Sequence, residues 1–277
     1  MMELPETIVI ANQANKTLAG KKISNVFNAT KAHRFTFYHG DPKEYGKLLI
    51  GASIHSAIGY GMFVDLMFSN GAILSIGDGT NMTYKEHGNK IPANYQLLIT
   101  FEDESFIFFT VSLYGSIGVY PDGIIDDKYH KLNKQGLSLI DKNYTEDCFF
   151  RLIADTKKDL SAKAFLATEQ RIPGVGNGVV QDILFNAKIN PKRKMSTLSE
   201  NEKAKLFYSL KDTIHEMITK GGRNTQSDLL GNKGKYNNIL TSKTLKDPCP
   251  ICGGQIMKES YMGGAIYYCP NCQPNYS

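Results

Sequence analysis

Residues 4–18 place Leu4, Ile8, Ala11, Ala14 and Leu18 at steps of three and four, which predicts an amphipathic helix. Pro5 falls in its first turn and Gly20 supplies the stop. From Lys22 to about Tyr120 the period shortens, and the chain reads as strands at 23–27, 34–38, 54–68, 72–76, 95–101 and 105–119. The pairs Asn70-Gly71 and Asp78-Gly79 are expected as turns between them. A leading helix followed by an antiparallel β-sandwich fits this order.

The helical period returns beyond a polar, turn-rich stretch. Residues 160–168 and 179–187 are apolar on one face. The clearest helix spans 200–219, with Leu206, Leu210, Ile214 and Met217 in a stripe, a Ser199–Glu202 capping box and a Gly221-Gly222 stop. The predicted organisation is therefore α+β and multidomain: a helix and sandwich at 1–125, a linker at 126–145, a helical unit at 146–245 and a small C-terminal unit at 246–277.

Composition adds little until it is divided. The 277 residues are 42% apolar and 21% charged, ordinary for a globular chain. No apolar run reaches membrane-spanning length and no signal-peptide pattern opens the sequence, so a cytoplasmic monomer without a membrane partner is expected. Residues 1–147 carry 13 basic and 16 acidic side chains, whereas residues 148–277 carry 19 and 11. That asymmetry is the footprint of a polyanionic partner on the second half.

The C-terminal unit carries Cys249-Pro-Ile-Cys252 and Cys269-Pro-Asn-Cys272, two C-x2-C knuckles separated by sixteen residues. Four thiolates so spaced suit one tetrahedral Zn²⁺ and leave no open position for catalysis, which predicts a structural zinc ribbon. The fifth cysteine, Cys148, stands beside Phe149 and Phe150 and is expected as a small core residue. The histidines, among them His33, His39, His55 and His87, show no ligand spacing.

Between two predicted helices lies Gln170-Arg171-Ile172-Pro173-Gly174-Val175-Gly176-Asn177. A glycine-flanked turn entering a helix offers backbone N–H groups and a positive dipole end to an anion. Lys157, Lys158, Lys163 and Arg171 precede it, and Lys188, Lys192, Arg193 and Lys194 follow. Such a surface beside a zinc hairpin reads as a clamp on a nucleic-acid backbone. The segment 231–236, Gly-Asn-Lys-Gly-Lys-Tyr, is either a further basic contact or a solvated loop.

These motifs together resemble the formamidopyrimidine-DNA glycosylase and endonuclease VIII family. The likeness runs through Glu3-Leu4-Pro5-Glu6, Lys163, the Gly174-Val175-Gly176-Asn177 turn, Gly221-Gly222 and the four cysteines. It implies a helix-two-turn-helix unit at 146–245, a zinc finger at 246–277 and a partner in damaged double-stranded DNA. It further implies an N-glycosylase coupled to a lyase, in which an N-terminal amine attacks the sugar and a glutamate handles protons. Carried over by position, Glu3 and Glu6 are the catalytic carboxylates, with Met1 or Met2 at the nucleophile position. Lys163, Arg171, Gly174, Gly176 and Asn177 are the DNA contacts.

Three positions depart from the family pattern. Met2 stands where the family has its proline nucleophile, Met62 where a lysine is expected, and Gly264 where an arginine of the zinc hairpin grips a phosphate. Lys47, in Gly46-Lys47-Leu48-Leu49, imitates the lysine motif out of register. Two functions follow: a base-excision glycosylase of altered mechanism with doubtful lyase activity, or a non-catalytic binder of damaged DNA or structured RNA on the same scaffold.

Overall fold

The structure, a computed structural model, describes residues 1–276. Helix α1 (Leu4–Thr17) comes first. It is followed by β1 (Ile23–Asn28), β2 (Thr36–His39), a short α2 (Tyr45–Leu49), β3 (Ile54–Tyr60), β4 (Phe63–Phe68), β5 (Ile73–Lys85), β6 (Leu97–Phe101) and β7 (Phe106–Tyr120). The strands form one sheet in the order β1-β6-β7-β5-β4-β3, with β2 added on β7. All pairs are antiparallel except β2–β7, which is parallel.

Two sequence expectations change here. The single strand expected at 54–68 is two strands, joined by a turn at Gly61 and Met62, with Gly61 at φ 48°. Asp78-Gly79 is not a turn but a bulge within β5, with Asp78 at φ 55° and the register to β7 shifting between Asp78 and Thr80. A bulge bends the strand and re-aims its side chains. Here it lets the Asp78 carbonyl accept the Met2 N–H at 3.1 Å.

The stretch expected as linker contains α3 (Lys128–Gln135), capped by Asp127 through the His130 N–H. His130 and Asn133 of this helix are buried, so the segment packs on the sheet. The helical unit then comprises α4 (Glu146–Asp155), α5 (Ala162–Ala167), α6 (Asn177–Asn186) and α7 (Glu200–Thr219). The Ser199–Glu202 capping box and the positive-φ glycines 221 and 222 bound α7 as expected. Cys148 lies half-buried on α4 within reach of the Arg151 guanidinium at 3.3 Å, on the helix flank instead of in the core. Strands β8 (Met257–Tyr261) and β9 (Gly264–Tyr268) close the chain as a hairpin.

Helix α1 sits between two cores. Met2, Ile10, Ala11 and Ala14 pack with the sheet, while Leu4 joins the α4–α7 core with Val175, Val179 and Met217. It lies against β3, where the Asn15 amide both donates to the Ala57 carbonyl (2.8 Å) and accepts its N–H (2.7 Å). Gly59 makes that approach feasible, because a Cβ there would fall 2.1 Å from the Thr7 carbonyl oxygen. Replacing Gly59 by Ala is therefore expected to push α1 off the sheet and cost about 2 kcal/mol, read as a lower denaturant midpoint at unchanged slope.

Candidate active site and nucleic-acid interface

The glycine turn before α6 meets the start of α1. The Leu4 N–H donates to the Gly174 carbonyl at 3.0 Å, and Gly174 at φ 79° has no room for a side chain, since a Cβ would lie 2.6 Å from both the Gly61 oxygen and the Leu4 Cβ. The anion at the α6 N-terminus proves to be internal. The Glu3 carboxylate accepts the N–H groups of Gly178 and Val179, both at 2.8 Å. The free N–H groups expected for a phosphate are thus taken at these two positions by Glu3, which the helix dipole also favours.

Glu6 holds the other side of the cluster. Its carboxylate accepts the Glu3 N–H at 3.0 Å and is gripped by Arg223 through Nε (2.9 Å) and Nη2 (2.6 Å). Arg223 also reaches Glu3 (3.4 Å) and the Met1 carbonyl (3.1 Å). All three charged residues are buried, with Arg223 only 2% exposed. A bidentate guanidinium with two carboxylates satisfies the geometry that buried charges need. Arg223 was not singled out in the sequence; its one signal was its place directly after the Gly221-Gly222 stop.

At the nucleophile position, the Met2 side chain is buried in the sheet core and its N–H is bonded to Asp78. The amine in the cleft is that of Met1, 3.4 Å from the Gln226 Oε1. Burial, then the neighbouring Arg223, lowers the pKa of this amine from its usual 8.0, while Glu3, Glu6 and Asp78 oppose the shift. The cleft has a volume of about 310 Å³ and brings together Met1, Glu3, Asn177, Gln181, Arg223 and Gln226. Its far wall includes Asn238 and Leu240, in a strap tied down by Asp182 of α6, whose buried carboxylate accepts the Ile239 and Leu240 N–H groups at 3.0 and 2.9 Å.

Two expected DNA contacts face the four-cysteine hairpin. Lys163 donates to the Tyr261 carbonyl at 2.8 Å, and its burial lowers its pKa. Asn177 is exposed and donates to the Ala265 carbonyl at 3.3 Å, and Gln181 ties the same strand through Ala265 and Tyr267. Arg171 is placed otherwise: its guanidinium bonds the Ala164, Phe165 and Thr168 carbonyls at 3.2–3.4 Å and pairs with Glu169. It closes the C-terminus of α5, where unpaired carbonyls attract a cation.

The departures have structural reasons. Met62 is buried, with Tyr129 and Gln170 directed at its sulfur, and its methyl shares the space above Gly176 with the Glu3 carboxylate. Gly264 abuts Asn177, so that a Cβ would press the amide at 3.3 Å. Lys47 pairs with Glu44 on the surface, away from this cluster. In the segment 231–236, Tyr236 is buried and Gly234 packs on Gly222, leaving Lys233 and Lys235 exposed.

The four cysteines converge as the spacing required. Their sulfurs all lie within 4.8 Å of one another, with Cys249–Cys272 at 3.7 Å and Cys252–Cys269 at 3.5 Å. A tetrahedron of thiolates with bonds of about 2.3 Å sets sulfurs about 3.8 Å apart, so the cluster fits a metal ion.

A seven-stranded sheet with a leading helix, a helical unit built on a glycine turn and a four-cysteine hairpin defines a helix-two-turn-helix protein with a C-terminal finger. Residues 136–228 match the model described as "Formamidopyrimidine-DNA glycosylase H2TH domain". The chain is 27% identical over 282 residues to a formamidopyrimidine-DNA glycosylase of Oceanobacillus iheyensis, covering 99% of this chain and 98% of that one. To one of Listeria monocytogenes it is 26% identical, covering 99% and 100%. Among solved structures, MutM in complex with DNA containing carbocyclic 8-oxo-G superposes with a TM-score of 0.82 at 25% identity, over 99% of this chain and 100% of that one. The Lactococcus lactis Fpg bound to abasic-site DNA shares the fold with a TM-score of 0.81 at 22% identity, again over 99% and 100%. Over nearly its whole length the chain is thus similar to formamidopyrimidine-DNA glycosylases, and residues 136–228 carry the match to the H2TH domain of that family.

Substituting Arg223 by Met leaves two carboxylates buried without their cation and is expected to cost about 3–5 kcal/mol in an unfolding titration. Chelating the metal is expected to release roughly one equivalent per chain and to expose the Tyr267 N–H, now bonded to Gln181, to hydrogen exchange.

Proposed function

We propose that this protein binds damaged double-stranded DNA and excises a base as a DNA N-glycosylase, with the N-terminal amine as nucleophile and Glu3 as its proton-handling partner. The observation that carries this reading is the shared cleft of the Met1 amine, Glu3 and Asn177. The relatives' names and the DNA in the neighbouring structures support the substrate class.

In this reading the neutral amine bonds to the sugar C1′, and the glycosidic electron pair leaves with the base, which takes up a proton. The amine gives up its protons as the sugar ring opens to a Schiff base, and Glu3 moves protons between amine and sugar oxygen. Its two bonds from Gly178 and Val179 fix the carboxylate plane and leave lone pairs for that task. Asn177 and Lys163 meet phosphates flanking the lesion, and zinc in the four-cysteine cluster holds the hairpin that positions both.

Met62 brings no cation to the cleft, so the amine itself must be available uncharged. Because its pKa is lowered from 8.0, the rate of borohydride-trapped adduct formation is expected to rise with pH with its midpoint below pH 8. The intact mass of the trapped species reports which residue carries the nitrogen. Glu3→Gln should lower trapping and base release by about 10²–10⁴-fold with DNA affinity retained. Salt-sensitive binding with no product on oxidised purines, oxidised pyrimidines or abasic sites would leave only a non-catalytic binder.

A further inference from the structure

The arm that carries the amine is held along its backbone. The Met2 N–H donates to the Asp78 carbonyl at 3.1 Å, the Glu3 N–H to the Glu6 carboxylate at 3.0 Å and the Leu4 N–H to the Gly174 carbonyl at 3.0 Å. The Met2 side chain, 3% exposed, ties the same arm into the sheet core. One further bond reaches Met1 itself: Arg223 Nη2 donates to the Met1 carbonyl at 3.1 Å.

A trans peptide is a rigid plane, and the plane joining Met1 to Met2 is thus pinned at both its C=O and its N–H. Pinning the plane fixes the Met1 Cα. The amine keeps one motion, rotation about the Cα–C bond, which carries it round a circle in the cleft. Gln226 marks one point on that circle, because its Oε1 accepts from the amine at 3.4 Å. With one N–H so engaged, the lone pair of the neutral amine faces away from Gln226.

Both grips come from one turn. The Gln226 N–H donates to the Arg223 carbonyl at 3.0 Å, so residues 223–226 close a turn that presents Arg223 to the carbonyl and Gln226 to the amine of the same residue. The turn is itself fixed: the Asn224 N–H donates to the Tyr236 carbonyl at 2.8 Å and the Tyr236 N–H to the Gly222 carbonyl at 3.1 Å. Arg223 suits its place because a planar fork serves Glu6 through Nε and Nη2 and still has a hydrogen for Met1. The charges facing the amine are Arg223, Glu3, Glu6 and Asp78. Gln226 is neutral, so it orients the amine without the hold on its proton that a carboxylate there would have.

We propose that the turn 223–226 is the seat of the nucleophile: Arg223 and Gln226 are positioning residues that hold the carbonyl and the amine of Met1 and aim that amine into the cleft beside Glu3. Met2, its side chain buried and its N–H bonded, serves as the anchor of the arm. The inference rests on the reading of the Met1 amine as nucleophile and names what holds it in place.

Gln226, half-buried and outside the carboxylate cluster, is the position to vary. Two measurements on the full-length protein separate the seat from the chemistry. Acetic anhydride labelling of the Met1 amine against pH, read by mass spectrometry, reports the amine without DNA; borohydride trapping on lesion-containing duplex reports it in the reaction. Gln226→Glu sets a carboxylate oxygen where the amide oxygen stands and should raise the midpoint of both curves by about one pH unit. Gln226→Leu should lower the trapping plateau at saturating duplex about tenfold, with duplex affinity and Tm unchanged. Arg223→Lys keeps the cation but not the fork and should lower the plateau by a similar factor; the Gln226 variants carry the test if it does not fold. A turn with a structural role only would leave the labelling midpoint where it is. That result in Gln226→Glu, or an unchanged plateau in Gln226→Leu, would overturn the proposal. If the labelling midpoint moves but the wild type traps no duplex, the seat stands and the excision reading alone fails.

Discussion

The cluster of Arg223 with Glu3 and Glu6 is the contact on which the rest of the molecule depends. Each member comes from a different requirement. Glu6 closes the first turn of α1, Glu3 closes the first turn of α6, and Arg223 follows the stop of α7. One guanidinium thereby joins the sandwich unit to the helical unit at the point where the cleft opens. Buried charges are costly unless fully paired, so this junction tolerates little rearrangement. Gln13 of α1 reinforces it by bonding Asp228 and Leu229, and Leu229 is itself buried in the sheet core.

Under the proposed function Glu3 carries two duties that pull against one another. As a helix cap it must stay charged and fixed; as a proton carrier it must exchange protons with a substrate. Its lone pairs permit both, because the backbone N–H groups occupy only one acceptor direction on each oxygen. The arrangement also means that the amides of Gly178 and Val179 are closed to an outside anion, which would have to meet side chains at the start of α6 instead.

Much of this was legible in the chain. Period-three-and-four spacing located α1 and α7, and the caps fixed α7 to the residue, because local rules govern helix ends on exposed faces. The cysteine spacing located the metal cluster for the same reason: ligand geometry is local. The bulge at Asp78 and the turn at Gly61 were not legible, since turn residues look alike whether a strand ends or bends. α3 was hidden by its polar composition, its buried side being His130 and Asn133. Arg223 escaped because its partners are more than two hundred positions away. Arg171 looked like a phosphate ligand because nothing in its sequence reveals that a helix end lies within its reach.

The close packing around Arg223 constrains how the chain can vary. A Cβ on Gly178 would lie 1.8 Å from the Arg223 Nη1, so no side chain at 178 is compatible with this arginine in place. The reverse replacement, a small residue at 223, empties a space and strands two carboxylates. The two positions are thus locked as a pair: a mutational path that changes either one alone passes through a broken intermediate.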